Sequence, residues 1–212
     1  MPDCADVAAT LMEHLCEHDK HGYTQGSGRW GDPSAKCWVE VGGTRYGANV
    51  GDRDCSSAVI DCWKQAIYWT AYRGALDAAT YTGDMRGVFV GSGLFTWHPM
   101  TGALCDDGYI AQRGDIYLNE STHTAMCVSA IPDMLAEFSV NEHGGITGGT
   151  VGDQTGRESS VSAFYVPSFG WDGVLAYSGR ADGADGSESG SSTAAERLRE
   201  IADEIEGIAG EL

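Results

Sequence analysis

The chain opens with helical periodicity and moves later to short apolar runs. Val7, Leu11 and Leu15 recur every fourth residue, with Ala8 and Met12 beside them and charge on the opposite face. This predicts an amphipathic helix over residues 3 to 19, packed on a core. His14 and His18 sit one turn apart on it, near Glu13 and Glu17. With no HExxH frame and no third ligand in view they read as a solvated face. From His21 to Asp54 glycine and aromatic residues dominate, which predicts loops around one short strand, Cys37 to Val41. Val59, Cys62, Trp63, Ala66, Ile67 and Thr70 return to helical spacing. A buried helix is therefore expected over Ser56 to Arg73, with Cys55 in its first turn, and a further short helix over 76 to 82.

Apolar runs follow at Val88 to Val90, Ile116 to Leu118, Thr124 to Val128, Leu135 to Val140 and Val161 to Val166, divided by Gly, Pro and Asp. Runs of that length between turn residues predict strands of an antiparallel meander. Helices first and strands afterwards predict an α+β fold, with N-terminal helices packed on one side of an antiparallel sheet. After Tyr177 the composition becomes Ser, Gly, Ala and Asp, so residues 178 to 192 read as a flexible linker that ends a domain over residues 1 to 177. Thr193 and Glu196 form a capping-box signal, and Leu198, Ile201, Ile205, Ile208 and Leu212 follow as a short a/d seam. Residues 193 to 212 are expected as an amphipathic helix. Gly207 and Gly210 weaken it, so it suits weak self-association or a partner contact.

Composition narrows the function classes. The chain has 212 residues, room for one catalytic-size domain and a small appendage. Its formal charge is −18 with only 13 Lys and Arg, which argues against nucleic acid as a partner. The same charge repels a polyanionic surface at long range, so binding one would need specific contacts or screening salt. No apolar run reaches the length of a bilayer span, so no membrane insertion is expected. The first residues lack the basic and apolar regions of a secretory signal, and the cytoplasm is the expected location before any release. Seven cysteines, an odd number with no CxxC pair, suit neither a disulfide framework nor a zinc ribbon. No metal or cofactor is expected.

The chemistry rests on Asp54-Cys55-Ser56-Ser57 at the head of the expected helix. A helix N-terminus supplies partial positive charge and free N–H groups, which activate a thiol. Cys55 has that setting and the other six cysteines do not. On the strand expected to begin near Thr124, alternation puts His123 on one face with Ala125 and Cys127, whose side chains are small. His123 can thus serve as general base to Cys55. A third group should orient the imidazole. Glu137 on the next strand is the first choice, and Asn141 on the same face is its rival. An oxyanion would be met by the Cys55 N–H and a side-chain donor from the preceding loop, Tyr23 or Gln25. Arg113-Gly114-Asp115 spells an adhesion tripeptide, but its ordinary reading is a polar turn leading into Ile116-Tyr117-Leu118.

The ordered set His21-Gly22-Tyr23, Arg29-Trp30-Gly31, Asp54-Cys55-Ser56-Ser57, Arg113-Gly114-Asp115-Ile116, His123-Thr124-Ala125-Met126 and Glu137 through Gly156 resembles the papain-like NlpC and CHAP superfamily of peptidoglycan hydrolases, especially its phage endolysin branch. The resemblance implies a papain-like α+β fold over residues 1 to 177. It also implies a cysteine amidase or endopeptidase that cuts bacterial peptidoglycan without a cofactor, with Cys55 as nucleophile, His123 as base and Glu137 as orienter. Proteins of that branch often await a holin, which fits the missing export signal. Two other functions remain open at this level: a papain-like amidase with a non-wall substrate, and a non-catalytic wall-binding or tail-associated module in which Cys55 only packs.

Overall fold

The computed structural model describes residues 2–18, 22–140 and 158–179. Asn141, nearly all of the expected linker and the expected helix over 193 to 212 lie outside the described residues.

Helix α1 spans Cys4–His18 and buries Val7, Ala8, Leu11, Met12 and Leu15, the face set by its periodicity. The region expected as loops around one strand is instead a hairpin of β1 (Trp30–Val41) and β2 (Thr44–Arg53). Gly42 and Gly43 join the strands with φ of 57° and 75°, the positive values that a tight two-residue hairpin turn requires. Cys37, Val39, Val41, Tyr46 and Ala48 form its buried face. The two glycines inside β2 masked that alternation.

Helix α2 runs from Cys55 to Ala66, shorter than the expected span to Arg73. The Thr70 hydroxyl donates to the Ile67 carbonyl at 2.8 Å and accepts from the Tyr72 N–H at 3.1 Å, a local alternative to the helical ladder. Turns therefore replace the helix beyond Ile67. The strand expected at Val88 to Val90 and the helix expected over 76 to 82 are both corrected by α3, Thr82–Gly91. Asp84 gathers the Thr80 and Tyr81 N–H groups at its start, and Met85 and Phe89, one turn apart, are its buried anchors.

The remaining strands are β3 (Phe95–Thr101), β4 (Leu104–Cys105), β5 (Ile116–Asn119), β6 (His123–Ala130), β7 (Asp133–Phe138), β8 (Ser159–Ala163) and β9 (Gly173–Tyr177). They form one antiparallel sheet in the order β4-β3-β9-β5-β6-β7-β8. The expected meander is its β5 to β8 half. β9 enters between β3 and β5, with Leu175 opposite both Trp97 and Ile116.

Period two divides the sheet's side chains between two clusters. Ile116, Leu118, Met126, Val128, Ala136, Phe138 and Leu175 pack in the larger core with α1 and α2. Tyr117, Ala125, Cys127, Leu135 and Val174 form a smaller cluster capped by Trp171. The architecture is α+β with few helices and an antiparallel sheet.

The Arg113-Gly114-Asp115 turn fastens the sheet to α1. The Arg113 guanidinium meets Asp6 at 2.9 Å, Glu13 at 2.6 Å and Thr10 at 3.0 Å. Gly114 has φ of 91°, and a Cβ there would stand 2.8 Å from the Ala5 Cα. Asp115 is fully buried; its carboxylate accepts from the Tyr109 hydroxyl and from the Gln112 and Tyr177 N–H groups. The tripeptide is a structural rivet rather than an adhesion signal.

Candidate active site

The α2 N-terminus is built by Asp54. Its Oδ1 accepts from the Ser57 N–H at 2.6 Å and the Ser56 hydroxyl at 2.9 Å, while the Ser57 hydroxyl accepts from the Asp54 N–H at 3.0 Å. This reciprocal cap fixes where the helix starts. Arg29 holds the other carboxylate oxygen at 2.9 Å and continues to the Thr80 carbonyl. Cys55 is thus the first residue of α2, only 4% exposed. At that position its own N–H has no partner within the helix and remains available as a donor beside the sulfur.

His123 is the first residue of β6, next to the β5–β6 turn. The Asn119 side chain sets that turn by accepting from the Ser121 N–H and the Thr122 hydroxyl and donating to the Gly170 carbonyl. The His123 Nε2 lies 2.7 Å from the Glu137 Oε2. Cys55 is the other group that acts on the imidazole. Burial alone would push the imidazole down. The hydrogen bonds with Cys55 and Glu137, and the charges behind them, outweigh burial and push His123 up to about 9. An imidazolium is therefore the favoured form at neutral pH.

The Tyr23 hydroxyl is directed at the Cys55 Sγ at 3.9 Å. Backbone bonds from Thr24 to Arg53 and from Arg53 to Gly22 pin this segment beside the end of β2. Burial and the nearby Cys55 hold the phenol well above its usual range, so it remains a donor. Gln25, the other donor considered, is exposed and hydrogen-bonds Tyr23. The structure therefore brings together Tyr23, Cys55, His123 and Glu137. Asn141, the rival to Glu137, lies outside the described residues.

Sequence reasoning missed three aromatic residues around the imidazole. Trp171 stacks on His123 at 5.7 Å and 25°, Phe169 meets it edge-on at 6.2 Å, and the Tyr165 hydroxyl donates to the Glu137 Oε2 at 2.8 Å. The available signal was the density of aromatics beside Pro167 and Gly170; the strand expected over Val161 to Val166 ends at Ala163, so Tyr165 stands past β8. An open cleft of about 570 Å³ leads to the site, with Tyr23, Gln25, His123, Ser139, Tyr165 and Phe169 among its lining. Cys55 sits behind Tyr23 and His123.

The remaining cysteines have a different character. Cys62 and Cys127 are fully buried, and burial pushes the Cys16 and Cys105 thiols up to about 12. Among the described residues no group of three or more His, Cys, Asp or Glu is placed to hold a metal ion.

A cysteine at a capped helix start, bonded to a histidine on a neighbouring sheet, is compatible with several hydrolase families. Comparison with family profiles narrows this, because that of the endolysin-like domain matches residues 2–132. The chain belongs to the endolysin-like domain family. No curated protein and no solved structure matches it. The matched part of this endolysin-like domain contains Tyr23, Cys55 and His123 and ends in the β6–β7 turn. Glu137, Tyr165, Trp171 and β9 lie beyond it. The sheet of the endolysin-like domain therefore runs past the matched residues to Tyr177.

Proposed function

We propose that this endolysin-like domain is a cysteine hydrolase of the papain-like NlpC/CHAP type that cuts an amide bond of bacterial peptidoglycan. The bond is the N-acetylmuramoyl–L-alanine amide or a stem-peptide bond to the diamino acid. Cys55 is the nucleophile, His123 the base and Glu137 the orienter. The observation that carries the reading is His123 bonded at 2.7 Å to the buried Glu137 carboxylate and raised by the neighbouring Cys55. A thiol–imidazole–carboxylate chain beside a cleft is arranged for acyl transfer.

In the first half-reaction the Cys55 Sγ attacks the amide carbon, and the oxygen takes the electron pair. The Cys55 N–H and the Tyr23 hydroxyl face that charge. The His123 imidazolium gives its proton to the leaving nitrogen as the C–N bond breaks, which leaves a thioester on Cys55. Water then loses a proton to His123 and attacks the thioester, releasing the carboxylic acid and restoring the pair. Glu137 keeps the imidazole in one orientation throughout. The domain acts at the cell wall once released from the host cytoplasm.

Purified sacculi treated with wild type and Cys55→Ala, with released fragments read by mass spectrometry, test this. Wild type is expected to release fragments at least about a thousandfold faster than Cys55→Ala. New N-terminal L-alanine marks an amidase, and a new amine on the diamino acid marks an endopeptidase. Cleavage that survives Cys55→Ala refutes the mechanism. Intact sacculi after wild-type treatment refute the substrate, in favour of another amide or a wall-binding role.

A further inference from the structure

Tyr165 belongs neither to the helix that carries the thiol nor to the strands that carry His123 and Glu137. It follows β8 in a segment whose residues Tyr165, Val166, Pro167, Ser168 and Phe169 form one wall of the cleft. Its hydroxyl nevertheless reaches the Glu137 Oε2 at 2.8 Å, the same oxygen that His123 Nε2 meets at 2.7 Å. The segment is anchored on both sides of that contact. The Phe164 N–H donates to the Asp133 carbonyl at 2.9 Å, and the Trp171 indole N–H donates to the Tyr165 carbonyl at 2.9 Å. Trp171 is the ring stacked on His123, so one short stretch of chain touches both the imidazole and its carboxylate.

We propose that Tyr165 is a positioning residue for this site, holding the Glu137 carboxylate in the rotamer that orients His123. The inference rests on the Cys55–His123–Glu137 reading above. Two hydrogen bonds converging on one oxygen fix the carboxylate plane and hold it against the imidazole. The phenol suits the task because burial and the Glu137 charge keep it protonated, well above its usual range. The titratable groups around Glu137 are His123 on β6, Tyr165 after β8, Cys55 on α2 beyond the imidazole, Cys16 on α1, whose thiol bonds the Glu137 carbonyl, and Glu158, whose carbonyl accepts from Ser139. Of these, Tyr165 and His123 hydrogen-bond the carboxylate itself. Because Tyr165 also lines the cleft, the wall that meets substrate and the group that orients the base are one residue.

Alkylation of Cys55 by iodoacetamide, followed against pH by mass spectrometry of the Cys55 peptide, reads the thiolate–imidazolium pair without any substrate. Wild type, Tyr165→Phe, Glu137→Ala and the double variant are compared, and sacculus cleavage is measured in parallel. Tyr165→Phe is expected to move the acid limb of alkylation up by about one pH unit, since a carboxylate free to leave its rotamer supports the imidazolium beside Cys55 less well. Cleavage by Tyr165→Phe is expected to fall about tenfold in kcat with KM altered much less. Added to Glu137→Ala, the same change is expected to do nothing further, because the group it positions is gone. An unmoved limb in Tyr165→Phe, or an equal loss in both backgrounds, overturns the proposal, whether or not the variant's thermal midpoint changes. If wild type fails to cut sacculi while Tyr165→Phe still moves the limb, the peptidoglycan reading is refuted and the role of Tyr165 stands.

Discussion

Raising the pH should loosen this fold through His123. The imidazole, ordinarily near 6.5, is pushed up to about 9 in the folded chain, where bonds with Cys55 and Glu137 outweigh its burial. A group whose folded value is raised binds more protons in the native state, so its contribution is complete below 6.5 and is lost as pH climbs through 9. The span from 6.5 to about 9, at about 1.36 kcal/mol per pH unit, corresponds to about 3 kcal/mol. The side chain is only 9% exposed, so solvent screening removes little of that. Urea unfolding at intervals from pH 6 to pH 10, followed by tryptophan fluorescence, measures it directly. Buried thiols such as Cys16 and Cys105 also destabilise the fold at high pH, because their ionisation is pushed up to about 12. They do so equally in wild type and in His123→Gln, and the difference between the two proteins isolates the imidazole. That difference should shrink by about 3 kcal/mol between pH 6 and pH 10. A difference that stays level, or grows with pH, would show that the bonds at His123 do not favour its protonated form.

Two substitutions probe the scaffold. Asp54→Ala removes the α2 cap and the partner of Arg29 and should cost about 2 kcal/mol in urea unfolding, whereas Asp54→Asn keeps the capping oxygen and should lose less than half of that. Gly114→Ala combines a φ of 91° with a Cβ 2.8 Å from the Ala5 Cα; it should cost about 3 kcal/mol or more and lower the thermal midpoint by over about 5 °C.

Local chemistry made part of this structure readable. α1 followed from Val7, Leu11 and Leu15 at helical spacing, and the strands from Ile116 to Phe138 followed from short apolar runs that neighbours in sequence complete. Cys55 and His123 were legible because each stands at the edge of such an element, where a side chain can be aimed. Val88 to Val90 misled because three apolar residues suit a strand or a helix equally; the choice was made by Asp84 gathering N–H groups and by Phe89 one turn after Met85. β9 was hidden because Gly173 to Tyr177 finds its partners far away, at Phe95 to Pro99 and Ile116 to Leu118. Tyr165 was hidden for a related reason: the strand expected over Val161 to Val166 ends at Ala163, and nothing local tells which carboxylate the residue past its end will meet.

The position of β9 also sets the order of events during synthesis. It is the last of the described strands to be made, yet it lies inside the sheet and joins β3 to β5. A nascent chain that has already exposed Cys55 and His123 still has two unmatched strand edges until Tyr177 emerges from the ribosome. Such edges close only through contacts distant in sequence, which form late. A chain interrupted just after His123 would carry the thiol and the imidazole without the sheet that aligns them. Assembly of the site is thereby tied to completion of translation through Tyr177, and prematurely terminated products are expected to be inert and prone to aggregation.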